Sequence, residues 1–318
     1  MISSDDTAAT ARDLSEAAWH LRWDDTSVRE LADRLGPPAE VSDDPPRLVV
    51  PVSRPEGEPL AQAREFRRVA DALRAALGEP GLLGAHGHRR PPGRRADPRW
   101  GRPFLRWRRG GTTLELRAGA AGPELVLEPS ETWESWYPDA GTGFVGVGEE
   151  SGLSVDHPPH EPPADWEDLA LTLAVFLRTL PAETYALGIA HCLPLYGRIA
   201  GSGAPLLFDI VSDDRLFLDF TEYEVAEAAR GERVAALGWT RTDSLPPGHL
   251  DPGLDGGAPW RVDAGGPGEV DAGAAAALLV RTARAAGLDR PTDLLLGGEG
   301  EFRRPYRFGF PGLGLPTV

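Results

Sequence analysis

The stretch PLLFDIVSDDRLFLDFTEYEV, residues 205–225, reads as two strands of alternating apolar and polar residues around a polar tip, the pattern of a β-hairpin. Its register decides which side chains share a face, because directly opposed residues of an antiparallel pair point the same way. A two-residue turn at Asp213-Asp214 sets Phe208 opposite Asp219 and mixes apolar with charged groups. A three-residue connection, Ser212 to Asp214, places Ile210 opposite Leu216, Phe208 opposite Leu218 and Leu206 opposite Phe220, which makes one face wholly apolar. The second register is the expectation. The other face then carries Leu207, Asp209, Val211, Arg215, Phe217 and Asp219, half apolar and half acidic. Asp209 and Asp219 become diagonal neighbours, about 7–8 Å apart at the backbone.

Two functions suit such a face. Paired carboxylates with a water between them perform acid/base chemistry, and Glu222 and Glu224 follow close by. Nothing around them in the sequence marks a pocket, so solvated face charges are the simpler reading. A half-apolar sheet face also captures extended or helical peptides. Leu207, Asp209, Val211, Phe217 and Asp219 are therefore the expected partner-binding residues.

Outward from the hairpin, an α+β pattern covers the chain. A helix is expected over 13–35, stopped by Gly36-Pro37-Pro38, then a strand at RLVVPVS (47–53). A second helix follows at LAQAREFRRVADALRAALG (60–78), with Phe66, Val69, Leu73 and Leu77 as its buried stripe. PFLRWRRGGTTLELRAGAAGPELVLEP (103–129) reads as a three-stranded meander with a tight turn at Gly110-Gly111. Residues 139–164, rich in Gly, Pro and acid, read as a linker. DWEDLALTLAVFLRTL (165–180) reads as a helix capped by Asp165 and closed by Pro181. A short helix near 231–237 and another at VDAGAAAALLVRTARAAG (270–287) follow the hairpin. The expected fold is α+β in two domains, each an antiparallel sheet flanked by helices: 1–138 and 165–298, with 139–164 between them and an apolar Pro/Gly-rich tail at 299–318. A shared element order raises duplication of one unit as an alternative.

Composition narrows the chemistry. The formal charge of −16 disfavours general binding to nucleic acid or to a membrane surface. No apolar run approaches the roughly 20 residues of a membrane span, and the first residues lack a secretory pattern, so a cytoplasmic location is expected. The single cysteine, Cys192, excludes an internal disulfide framework. Lysine and asparagine are absent, as in proteins of GC-rich genomes. Without lysine there is no Walker phosphate loop and no Schiff-base chemistry.

Other motifs weigh less. GTGFVG (141–146) matches a dinucleotide-binding string but lacks the flanking strand and helix that hold a pyrophosphate. Asp156, His157, His160 and Glu161, and separately His86 and His88, have metal-ligating side chains in segments rich in proline and glycine, where rigid geometry is hard to hold. No cofactor and no metal are expected. Between 86 and 109 lie nine arginines against the single acid Asp97. Arg89, Arg90, Arg94, Arg95, Arg99 and Arg102, interleaved with Trp100 and Trp107, suit stacking on bases and clamping of phosphates. A basic loop lying on the protein's own acidic surface is the competing reading.

Residues 165–296 resemble the actinobacterial TY-Chap domain, one of the YbjN and type III secretion chaperone-like folds. The resemblance is carried by LRTLP, the strand pair LLFDIV and LFLDFTEYE, LGW at 237–239, Trp260, and the alanine-rich helix ahead of PTDLLL. The first 138 residues resemble another actinobacterial domain of unknown function through LADRLG, ALGEP and LRWRRGGTTLELR, departing from it where a tryptophan is expected after Gly36. The resemblance implies a non-catalytic module, chaperone-like or an immunity protein, that holds a peptide or protein client such as a toxin or secreted protein, often as a homodimer. Two alternatives stand beside it: a nucleic-acid-associated regulator using residues 89–109, and an enzyme using the carboxylates near Asp209 and Asp219.

Overall fold

The structure is a computed structural model that describes Asp13, Glu16, Trp23 and residues 25–35, 39–43, 46–53, 57–87, 100–130, 143–148, 161–198, 206–220, 228–241, 260–297 and 306–318. It is a mixed α+β architecture with two antiparallel sheets flanked by helices. The chain divides into two compact units, and both are discontinuous in sequence. The first takes 1–157, 182–189 and 303–312, and the second takes 158–181, 190–302 and 313–318.

The first unit opens with α1 (Asp25–Leu35), β1 (Glu40–Asp43), β2 (Pro46–Pro51) and α2 (Pro59–Leu77). Strands β3 (Leu82–Ala85), β4 (Pro103–Arg109), β5 (Thr112–Gly119), β6 (Gly122–Pro129) and β7 (Phe144–Gly148) follow. The eight-stranded sheet runs β1-β2-β6-β5-β4-β3-β7-β14, its last strand β14 (Tyr306–Gly309) arriving from far along the chain. The meander forms as expected, with Arg109 opposite Thr112 around a Gly110 of φ +59°. Its turn requires that left-handed conformation, which glycine adopts without steric cost. Leu105, Leu114, Leu116, Leu125 and Leu127 are buried along this meander. Of the expected α2 stripe, Phe66, Val69 and Leu73 are buried and Leu77 is half-buried, with Ala63 and Ala70 buried beside them, and α2 lies over β6. Trp107 donates its indole N–H to the Gly78 carbonyl at the end of α2 (2.8 Å), and Phe66 meets Trp100 edge-on.

Some stretches differ from expectation. The helix expected over 13–35 is interrupted, since Trp23 is not helical and α1 begins at Asp25. Residues 144–148, read as linker, are an interior strand between β3 and β14, and residues 306–309, read as tail, complete the sheet. Two glycines of GTGFVG, Gly143 and Gly146, serve close strand packing; Gly141 lies outside the described residues. A Cβ on Gly143 would stand 1.8 Å from the Ala85 carbonyl oxygen, and one on Gly146 would stand 2.6 Å from the Phe308 ring. At Gly143 and Gly146 the missing side chain is thus a packing requirement at β7.

In the second unit, α3 (Trp166–Leu187) is capped by Asp165, whose Oδ1 accepts the backbone N–H groups of Glu167 and Asp168, both at 2.9 Å. Pro181 does not end this helix; it lies inside it. An internal proline removes one backbone hydrogen bond and strains its turn, and the turns beyond it are held from outside. Within the first unit, to which residues 182–189 belong, Arg67 donates to the Tyr185 carbonyl and Arg74 to the Leu187 carbonyl at 2.8 Å. Arg74 thus supplies a donor to a carbonyl of the last turn, where a helix end leaves acceptors over, and Arg67 adds a second donor to the Tyr185 carbonyl, which also accepts the Gly188 N–H at 3.1 Å.

Strands β8 (His191–Gly197), β9 (Leu206–Ser212) and β10 (Leu216–Phe220) follow, then α4 (Ala228–Leu237), β11 (Thr240–Arg241), β12 (Trp260–Gly265), α5 (Ala272–Ala285) and β13 (Leu294–Leu296). The six-stranded sheet runs β11-β12-β10-β9-β8-β13. Its apolar face holds Leu193, Leu195, Phe208, Ile210, Leu216, Leu218 and Phe220, all buried. Phe208 and Phe220 meet the Trp239 ring, whose N–H donates to Thr282 on α5 at 2.8 Å. The two units differ in connectivity. In the first, three strands and two helices precede the meander; in the second, the strands β8, β9 and β10 follow α3 directly.

Candidate functional site

The hairpin closes with Ser212 opposite Leu216, Phe217 opposite Val211, Leu218 opposite Ile210, Asp219 opposite Asp209 and Phe220 opposite Phe208. The connection is three residues long, but it comprises Asp213, Asp214 and Arg215, one position beyond the expected Ser212–Asp214. Parity survives the shift, so the two faces are composed as the alternation predicts. Asp209 and Asp219 change from diagonal neighbours to direct partners. The cause is local: the Asp213 carboxylate accepts the backbone N–H groups of Asp214 (2.6 Å) and Arg215 (3.0 Å), an Asx-type turn that holds all three residues in the loop.

Two carboxylates directly opposed on one face repel one another. Arg261 of β12, opposite Asp219, relieves this by donating Nε to one Asp219 oxygen and Nη2 to the other, at 2.6 and 2.5 Å. Its guanidinium also lies 4.9 Å from the centre of the Phe217 ring, within cation–π range. At the tip, Arg215 makes a bidentate pair with Asp263 and reaches Glu269 at 3.7 Å. These tip residues are exposed, and such pairs contribute about 1 kcal/mol or less.

The five expected binding residues therefore divide. Asp209, Val211 and Phe217 are half-buried on the outer face. Leu207 and Asp219 are buried and take no part in an open surface. Leu207 occupies the space a side chain at Gly197 would need, its Cδ1 only 2.3 Å from that Cβ position, and Asp219 is buried while paired with Arg261. With both oxygens held by one guanidinium, Asp219 is built as a structural acceptor and lacks the freedom of a general acid. Glu222 and Glu224 lie outside the described residues.

The arginine-rich stretch also divides. Arg89, Arg90, Arg94, Arg95 and Arg99, with His88, lie outside the described residues, as do Asp156, His157 and His160. Trp100 and Trp107 are buried in the first unit and are not presented for stacking on bases. Arg102 is pinned at the base of the stretch: its backbone N–H donates to Glu183 (2.9 Å), its carbonyl accepts from the His86 N–H (3.0 Å), and its guanidinium reaches the Gly87 carbonyl.

Arg106 leads to a feature the sequence reading missed. One face of the first sheet carries Arg106 on β4, Glu115 and Arg117 on β5, and Glu124 and Glu128 on β6, with His86 just past β3. Arg106 and Glu115 pair directly at 5% and 2% exposure, and His86 Nε2 lies 3.3 Å from the second Glu115 oxygen. His86 stacks on Phe104 with ring centres 4.3 Å apart. Arg117 pairs with Glu124 at 2.6 Å.

Burial pushes the His86 pKa down to about 4, against the pull of Glu115, so the imidazole is neutral at pH 7 and donates a hydrogen bond rather than carrying charge. Burial alone would raise the Glu115 carboxyl, but Arg106 and His86 hold it well below the usual carboxylate range. Burial, then the neighbouring Glu115 charge, pushes Glu128 up. The signal for this cluster was present in the period-two charges of all three meander strands. A charged strand face normally meets water, so alternation alone does not mark these charges as buried.

The fold and the outer face together define an α+β protein with two antiparallel sheets, one of which offers a mixed apolar and ionic surface. No protein-family model, curated protein or solved structure matches the chain. Among the described residues, no helix is long and apolar enough to cross a membrane, and no group of three or more His, Cys, Asp or Glu side chains could hold a metal ion.

Proposed function

We propose that this chain is a non-catalytic protein-binding module, chaperone-like or an immunity protein, that holds a peptide or protein client on the outer face of its second sheet. The observation that carries the reading is the half-buried Phe217, with Arg261 stacked on it and Val211 directly opposite. An aromatic ring and a β-branched side chain supply apolar contact area, and Asp209 beside them favours a client with basic groups flanking its apolar positions. The acidic charge of the whole chain favours the same client. The TY-Chap resemblance of residues 165–296 points the same way.

The test is a tagged pull-down from the native host at moderate salt, run in parallel on the wild type, Phe217→Asp and Val211→Asp, with mass spectrometry of what remains bound. A stoichiometric toxin-like or secreted partner that is lost from both variants, while their circular dichroism and melting stay near wild type, supports the reading. A bound set identical across the three proteins overturns it.

A further inference from the structure

The second sheet has a built edge as well as a face. Its outermost strand on one side, β13, pairs through Leu294, Leu295 and Leu296 with Gly197, Tyr196 and Leu195 of β8. The opposite side of β13 is met by residues 316–318, and residues 313–315 lead into it past Glu161. The Leu296 N–H donates to the Pro316 carbonyl (2.8 Å), the Val318 N–H donates to the Leu296 carbonyl (2.9 Å), and Leu296 bridges Thr317 in parallel. Leu313 and Leu315 are each 1% exposed. Gly314 between them has φ +64°, and a Cβ there would stand 2.6 Å from the Glu161 carbonyl oxygen.

This contact has two unequal halves. The leucines two apart are fully enclosed, and the glycine between them fits a backbone-tight passage, so that half has the character of a shaped acceptor. The strand half is slight, since two hydrogen bonds converge on the single residue Leu296. Pro316 has no N–H to extend the ladder, Thr317 is exposed, and the Val318 side chain is 68% exposed. A sheet edge that binds extended peptides uses backbone hydrogen bonds for affinity and alternate side-chain pockets for selection. Here the backbone hydrogen bonds come from residues 316–318, and the enclosed leucines come from the turn before them, where a 3-10 turn over Pro311–Leu313 is followed by the left-handed Gly314.

We infer that the outer side of β13, together with the passage beside Glu161, is an acceptor site, occupied in cis by residues 313–318 and open in trans to a peptide of the same chemistry: two leucines separated by glycine on a turn, followed by proline and an extended end. The cis segment then acts as an internal competitor. This edge is distinct from the Phe217 face, and the two stand or fall separately.

The probe is a fluorescein-labelled peptide Leu-Gly-Leu-Pro-Thr-Val, titrated by anisotropy against three proteins: the full chain, the chain shortened to end at Gly312, and the full-length Val318→Pro variant, which loses one of the two edge hydrogen bonds and keeps both leucines. A tethered segment at about 1 mM effective concentration, competing with a peptide of about 10 μM affinity, weakens apparent binding about a hundredfold. The shortened chain is therefore expected to bind about a hundredfold more tightly than the full chain, with Val318→Pro between them. A control peptide with its second leucine replaced by Asp should bind the shortened chain at least tenfold more weakly than the native peptide. A folded shortened chain that ignores the peptide, or that binds both peptides equally, overturns the proposal. If the shortened chain does not fold, Val318→Pro decides: tighter binding than the full chain supports the acceptor edge, and unchanged binding shows that residues 313–318 only shield it. Size-exclusion chromatography separates a second copy from other occupants. A dimer of the full chain that dissociates when the peptide is added identifies another copy's 313–318 segment as an occupant, which also supports the acceptor edge.

Discussion

Replacing Arg106 by Met removes the positive partner of Glu115 while keeping a side chain of similar length. Arg106 is 5% exposed and Glu115 2%, so water does not screen the loss as it would at a surface. Breaking one side of a buried pair costs about 3–5 kcal/mol, because the remaining charge is left without its counter-ion. His86 offers a compensating hydrogen bond at 3.3 Å, which places the expected cost toward the lower end, about 3 kcal/mol. The double variant Arg106→Met/Glu115→Leu leaves neither charge. It should lie well above the sum of the two single changes, with a coupling of about 2–3 kcal/mol.

The loss in Arg106→Met should also depend on pH. Without that guanidinium, burial, the largest influence on Glu115, is opposed only by the His86 hydrogen bond and the Arg117 charge, and the expected pKa lies above the unfolded value of about 4.3. The penalty on the charged form is then fully present above the folded pKa and fades as pH falls toward the unfolded one. Urea unfolding followed by tryptophan fluorescence at pH 8 and pH 5, on the wild type, both single variants and the double, measures all of this. Single-variant costs below about 1 kcal/mol, the size typical of exposed pairs, would refute the reasoning, as would strict additivity.

Three further outcomes follow from the same geometry. Because the folded His86 pKa lies near 4 and the unfolded value near 6.5, its contribution is present above about 6.5 and is lost as pH falls toward 4, on the order of 3 kcal/mol in total; His86→Phe should flatten the stability profile in that window. Leu207→Ala leaves a cavity against Gly197 and should cost about 2–5 kcal/mol, whereas Val211→Ala on the half-buried outer face should cost clearly less, so equal losses in thermal melts would show that both are core. Gly143→Ala drives a methyl group into the Ala85 carbonyl and should destabilise by about 1–3 kcal/mol or more, with amide exchange in β3 and β7 rising first.

Much of the fold was legible because its signals are local. The α2 stripe, the meander with its glycine turn, the Asp165 cap and the composition of the two hairpin faces each depend on residues within a few positions of one another. The exact hairpin register was not legible, because the Asp213 carboxylate caps its own loop and extends the turn through Arg215, and side-chain alternation is blind to a slip of two. Pro181 misled for a related reason. A proline normally ends a helix, and the arginines that hold the turns beyond it lie more than a hundred residues earlier in the sequence.

The sequence by itself determined the α+β class, the strands of the first meander and the apolar and acidic character of the two hairpin faces, since alternation and helical spacing are properties of the chain alone. Tertiary structure decided the rest. It made residues 144–148 and 306–309 strands of one sheet, withdrew Leu207 and Asp219 from the binding surface, and turned the charges on β4, β5 and β6 into a buried ion network. Whether a charge is solvated or paired depends on what covers it, and that cover comes from residues distant in sequence whose approach no local pattern encodes.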